Sequence, residues 1–115
     1  MSEDQILKLA RTFTDEKYYE YCDCFDEFEE ATDDLSHDIE SGMVFEDLDT
    51  LIKEGFLPES FADVDYATLD EKSKEYEQVN KALVKSYVKF ALENDKTHAI
   101  AVAWLLHEHF KDFLD

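Results

Sequence analysis

The stretch DEKYYEYCDCFDEFEEATDDLSHDIE, residues 15–40, decides the fold. Its apolar positions Tyr18, Tyr21, Cys22, Phe25, Phe28, Ala31, Leu35 and Ile39 recur at three- and four-residue steps, which lines them along one side of an α-helix. Gly42 is placed to terminate that helix as a C′ residue. Thr32-Asp33-Asp34 offers an internal break, because Thr and Asp also start helices, so the segment reads as one helix or two.

Outward from this segment the helical pattern continues. Ser2 is an expected N-cap for a short helix with Glu3 and Asp4 in its first turn and Ile6, Leu7, Leu9, Ala10 and Phe13 as its apolar positions. Thr14 is the expected cap of the next helix. Val44, Phe45, Leu48, Leu51 and Ile52 form a further stripe that Gly55 would end. FLPESFADVDYA, residues 56–67, reads as a loop with one helical turn around Pro58. The capping-box spacing of Thr68 and Glu71 predicts a long helix through Tyr76, Val79, Leu83, Tyr87, Phe90 and Ala91 to Glu93, with Asn94-Asp95 as its end. A last helix from about Thr97 carries Ala99, Ile100, Ala103, Trp104, Leu106, His107, Phe110 and Leu114, an apolar face that reads as core.

Two glycines and one proline in 115 residues are too few for the turns of a β-sandwich or barrel. The expectation is an all-α, single-domain helical bundle of about five helices spanning residues 1–115, with one strongly acidic face. A formal charge of −19 would suggest disorder in a chain poor in aromatics, but nine Phe, six Tyr and one Trp supply a core. The N-terminal residues have no basic region followed by an apolar one, and no stretch reaches the roughly 20 apolar residues of a membrane span. These features predict a cytoplasmic protein with no membrane partner. Cys22 and Cys24 point in different directions on a helix and are expected to stay reduced.

The charge is confined to one part of the chain. Residues 1–14 balance Glu3 and Asp4 against Lys8 and Arg11, and residues 72–115 balance seven acids against seven lysines. Residues 15–71 hold the other 21 acids against Lys17 and Lys53 alone, and so carry the whole −19. An acidic surface tuned for solubility would spread over all faces; one confined to a segment points to a localised interaction surface.

The densest part comprises Asp15, Glu16, Glu20, Asp23, Asp26, Glu27, Glu29, Glu30, Asp33, Asp34, Asp38 and Glu40, and these are the expected partner-binding residues. On one continuous helix they would span about 39 Å, about 3.3 Å per carboxylate, against about 3.4 Å per phosphate along one DNA strand. Many of them stand at i,i+3 or i,i+4, where each like-charge pair costs a few tenths of a kcal/mol. The expectation is a face that imitates a nucleic-acid backbone and occupies the basic groove of a DNA- or RNA-binding protein.

In size, predicted helical content, acidity and the stretches Thr32-Asp-Asp-Leu-Ser-His-Asp-Ile39 and Phe45-Glu-Asp-Leu-Asp-Thr-Leu-Ile-Lys-Glu-Gly55, the chain resembles the Ocr-type antirestriction proteins of phages. The resemblance covers about half of the chain. It implies a dimeric DNA mimic that blocks restriction enzymes, acting in the cytoplasm of a bacterial host. The charge-balanced residues 72–115 depart from that pattern, and acidic mimicry on other folds, as in anti-CRISPR proteins, implies a CRISPR effector as the alternative target.

Rival chemistries are less well supported. Asp63-Val-Asp65 opens like a calcium loop, but Thr68 stands where glycine is needed and Lys74 where the bidentate glutamate is needed. Cys22, Cys24 and His37 lack the second cysteine pair of a zinc site, and His107-Glu108-His109 lacks the spacing of a zinc-protease helix. No phosphate loop or nucleophile elbow occurs, so neither an enzyme nor a cofactor is expected. Lys74, Lys81, Lys85 and Lys89 form a stripe expected to offset the acidic helix, within the fold or across a homodimer, and not to bind nucleic acid directly. The functional alternatives are an immunity protein that neutralises a nuclease toxin, with Tyr18, Tyr19, Tyr21 and Phe25 as anchors, and an inhibitor of a nucleoid or transcription protein.

Overall fold

Six α-helices occur among the described residues: α1 (Glu3–Thr12), α2 (Asp15–Cys24), α3 (Asp26–Glu40), α4 (Leu48–Lys53), α5 (Lys74–Glu93) and α6 (Lys96–His109). The computed structural model describes residues 2–40 and 48–114. Short 3₁₀ turns lie at Glu59–Phe61, Tyr66–Thr68 and Lys111–Phe113, and the described residues contain no strand. The all-α expectation holds.

α6 is the hub. Ala99, Ile100, Ala101, Val102, Ala103, Leu105 and Leu106 are all buried, so the helix is apolar nearly all round, as a helix must be when neighbours enclose it. α1, α3 and α5 pack around it. Asp95 starts α6 by accepting the His98 amide at 2.9 Å. α1 is fixed beside it by a hydrogen bond between His107 Nδ1 and the Ala10 carbonyl at 3.1 Å, and by Arg11 donating to the Leu114 carbonyl at 3.4 Å.

Several ends follow the sequence. Ser2 and Gln5 form a capping box on α1, and Thr14 accepts the Lys17 amide at 3.2 Å to cap α2. Gly55, at φ +84°, closes α4 with a Schellman motif: the Phe56 amide bonds the Leu51 carbonyl at 2.9 Å and the Gly55 amide bonds that of Ile52 at 3.1 Å. The expected terminator Gly42 and the stripe positions Val44 and Phe45 lie outside the described residues, as does the Glu40 side chain.

Three expectations need correction. The segment 15–40 is two helices, and the break falls at Phe25 (φ −140°, ψ 100°) instead of at Thr32-Asp33-Asp34. Thr32 stays helical because its hydroxyl donates to the Glu29 carbonyl at 2.9 Å within a buried environment. With this split there are six α-helices among the described residues, against the expected about five. The long helix begins at Lys74, capped by Ser73, whose hydroxyl accepts the Tyr76 amide at 3.1 Å; Thr68 instead bonds the Asp65 carbonyl in a 3₁₀ turn. Pro58 stands before the Glu59–Phe61 turn, not inside it.

Candidate acidic interface on α2 and α3

The acidic face exists because α3 is strictly two-sided. Phe28, Ala31, Thr32 and Ile39 are buried and Leu35 and Ser36 are half-buried, while Asp26, Glu27, Glu29, Glu30, Asp33, Asp34, His37 and Asp38 face water. α2 contains no buried residue. Aromatic contacts hold it in place: the Tyr18 ring lies 4.5 Å from Trp104 and 5.4 Å from Phe28, and the Tyr21 ring lies 5.8 Å from Phe13 and 5.7 Å from Phe28. The Tyr18 hydroxyl also approaches that of Thr32 at 3.5 Å.

That last contact fixes the arrangement. Residues 18 and 32 of one straight helix would stand about 21 Å apart, so the chain turns at Phe25 and α2 leans over α3. The single row of carboxylates imagined for a continuous helix therefore does not form. The acids lie instead on two helices that touch, which shortens the array and gives it width.

Asp15, Glu16, Glu20, Asp23, Asp26, Glu27, Glu29, Glu30, Asp33, Asp34 and Asp38 are all exposed. Among the described residues, the first ten of these have no lysine, arginine or histidine nitrogen within 4 Å. Asp26, Glu29, Glu30, Asp33 and Asp34 line a shallow recess of about 320 Å³ on the outer side of α3. Asp38 faces another way: burial, followed by the charge of Asp38, pushes the Tyr87 hydroxyl on α5 up from its ordinary value.

The helix dipoles offset part of the repulsion, since Asp15 and Glu16 occupy the first turn of α2, and Asp26, Glu27 and Glu29 that of α3. Nine like-charge pairs at i,i+3 or i,i+4 remain within the two helices, which at a few tenths each cost about 2–4 kcal/mol.

The lysine stripe of α5 does not reach this face. Lys81 pairs with Glu77 on its own helix at 2.9 Å and Lys89 with Glu54 at 3.7 Å. The aromatic residues divide in two: Tyr18 and Tyr21 are half-buried in the packing just described, while Tyr19 is 67% and Phe25 41% exposed beside the acids. The periodicity already left Tyr19 off the apolar stripe, but it placed Phe25 on it with Tyr18 and Tyr21, and only the position of the break separates Phe25 from them.

Other chemistry finds little to work with. No group of three or more His, Cys, Asp or Glu side chains among the described residues is placed to hold a metal ion. Burial pushes the Cys22 thiol up, which keeps it protonated and a poor nucleophile. No described helix is long and apolar enough to cross a membrane. The chain matches no family model, no curated protein and no solved structure.

Proposed function

We propose that the α2–α3 face docks on a basic nucleic-acid-binding protein and inhibits it by occupying the groove built for phosphates. The carrying observation is the set of ten exposed carboxylates on two touching helices with no cation within 4 Å among the described residues, maintained against about 2–4 kcal/mol of local repulsion. Residues 15–40 hold twelve acids against Lys17 alone, a net −11 of the chain's −19, while residues 1–14 and 72–115 carry no net charge, so the excess is not spread over all faces as general solubility would spread it. A groove of Lys and Arg that neutralises phosphates gains the same counterion release and steering from carboxylates. Defence nucleases, whether restriction enzymes or CRISPR effectors, are the targets this reading names first.

The test is displacement of a fluorescent duplex from a purified restriction endonuclease and from a purified RNA-guided nuclease. The protein should release the duplex at low salt and lose potency as salt rises, and Asp26→Lys/Glu30→Lys/Asp33→Lys should abolish release. Equal potency of the triple variant would refute the proposal.

Tyr19 and Phe25 favour a second reading, an immunity protein against one nuclease toxin. Exposed aromatics within a charged surface are the usual anchors of a tight, single-partner interface. Protection against one toxin without competition with DNA would select it.

A further inference from the structure

The outer side of α5 carries a groove in which four lysines outnumber the two acids of its lining, Glu3 and Glu77, so that its net charge is opposite to that of α3. Two adjoining hollows of about 360 and 400 Å³, both lined by Phe56 and Lys85, run along the helix. Lys74, Lys81, Lys85 and Lys89 edge it, and Leu92, 47% exposed, ends it. Among the described residues Lys74 and Lys85 have no carboxylate within 4 Å. From Lys74 to Leu92 the helix rises about 27 Å, enough to take α3, which is about 22 Å long.

The match extends to register. Lys89, Lys85 and Lys81 succeed one another at four-residue steps from the C-terminal end of α5, next to the exposed Leu92. Asp26, Glu30 and Asp34 succeed one another at the same steps from the N-terminal end of α3, next to the exposed Phe25. Each step rises about 6 Å along its helix. Laid antiparallel, the helices bring three acids opposite three lysines; Lys85 is the one with no carboxylate within 4 Å among the described residues, while Lys81 and Lys89 would exchange Glu77 and Glu54 for Asp34 and Asp26. Within one molecule this pairing is not made, because α3 packs on α6 and its acids face away.

We propose that the occupant of the α5 groove is the α3 face of a second copy of this chain, aligned antiparallel through Asp26–Lys89, Glu30–Lys85 and Asp34–Lys81. The contact uses the same carboxylates as the proposed function and rests on that reading only for its consequence: a basic partner and a second copy compete for one face. Self-association then stores the protein with its acids covered, and binding of the partner separates the copies.

Salt provides a signature. Each copy carries −19, so at very low salt the copies repel as whole bodies, while near physiological salt the screening length of about 8 Å removes that repulsion and leaves the contact pairs. High salt then weakens the pairs themselves. Association therefore peaks at intermediate ionic strength, whereas a purely apolar contact would only strengthen with salt.

Sedimentation velocity of the full chain, from micromolar to millimolar concentration across a salt series, tests this. The expected result is reversible association strongest at intermediate salt, weakened about tenfold or more by Lys85→Glu or by Glu30→Lys, and restored by the two changes together in one chain. Both residues are exposed, and circular dichroism confirms that each variant is folded. A single species of 13.5 kDa under all conditions, or association that Lys85→Glu leaves unchanged, overturns the inference. The two proposals fail separately: Lys85→Glu leaves the acidic face whole, so duplex displacement by that variant reports on partner binding alone.

Discussion

The Tyr18 ring sits 4.5 Å from that of Trp104, and through this contact the acidic helix α2, with no buried residue, is attached to the most buried helix of the protein. Charge repels α2 from α3, so its placement depends on aromatic burial. Tyr18→Ala is expected to cost about 2 kcal/mol and to change the fluorescence of Trp104, the chain's one tryptophan. Tyr18→Phe keeps the ring and removes the hydroxyl's contacts with Thr32, at 3.5 Å, and with the Cys22 thiol, and should cost under about 1 kcal/mol. Urea denaturation followed by tryptophan emission measures both, and equal losses would show that the hydroxyl, not the ring, secures α2.

The start of α5 gives a second comparison. Ser73 accepts the Tyr76 amide, whereas Thr68 Oγ1 donates to the Asp65 carbonyl in a 3₁₀ turn. Ser73→Ala should therefore cost about 1 kcal/mol and Thr68→Ala a few tenths. The reverse order in chemical denaturation would place the beginning of α5 at the earlier capping signal.

That pair of residues shows why some of the fold was legible and some was not. Apolar periodicity located α1 and α5 because each buries a stripe, and α6 because its apolar residues are nearly continuous; Ser2, Thr14 and Gly55 marked ends where one side chain or one positive φ supplies the cap, while Asp95, legible as the end of α5, also caps α6. The capping spacing pointed to Thr68 and gave no sign of Ser73, since Asp70 and Tyr66, not that spacing, determine the path of the loop: Asp70 bonds the Lys72 amide, while Tyr66 stacks on Tyr76 and approaches Asn80. The break at Phe25 was hidden for a related reason. Phe25 continues the apolar stripe in sequence, and only the packing of Tyr18 and Tyr21 onto Phe28 forces the chain to turn there. The acids of the candidate face were readable one by one because exposed carboxylates need no partner to be placed. Their arrangement on two helices was not, because it follows from that turn.

Glu30 stands at i,i+3 or i,i+4 from Asp26, Glu27, Asp33 and Asp34. Glu30→Gln relieves four like-charge pairs at once and should stabilise the fold by about 1 kcal/mol. The same change removes a carboxylate from the centre of the recess and should weaken duplex displacement. Stability gained together with potency lost is the pattern of a surface kept for binding. Thermal melts at low salt measure the first effect and anisotropy the second; a destabilised variant would contradict the repulsion account.

Asp95 supplies a pH dependence of opposite sign. The His98 amide, then the His98 ring, hold its carboxyl below the ordinary value of 3.8. A group whose folded pKa is lowered contributes stability that is complete above its unfolded pKa and lost as pH falls through the folded one. The cap on α6 should therefore be intact at pH 7 and weaken below about pH 4, so Asp95→Ala lowers the melting temperature at neutral pH and converges with the parent protein in acid. Protonating the crowded carboxylates of α2 and α3 relieves repulsion over the same descent and acts in the stabilising direction. The two effects separate when parent and variant are melted in parallel, because repulsion is common to both and cancels in the difference. A difference that stays constant from pH 7 into strong acid would show that Asp95 does not cap α6 as a carboxylate.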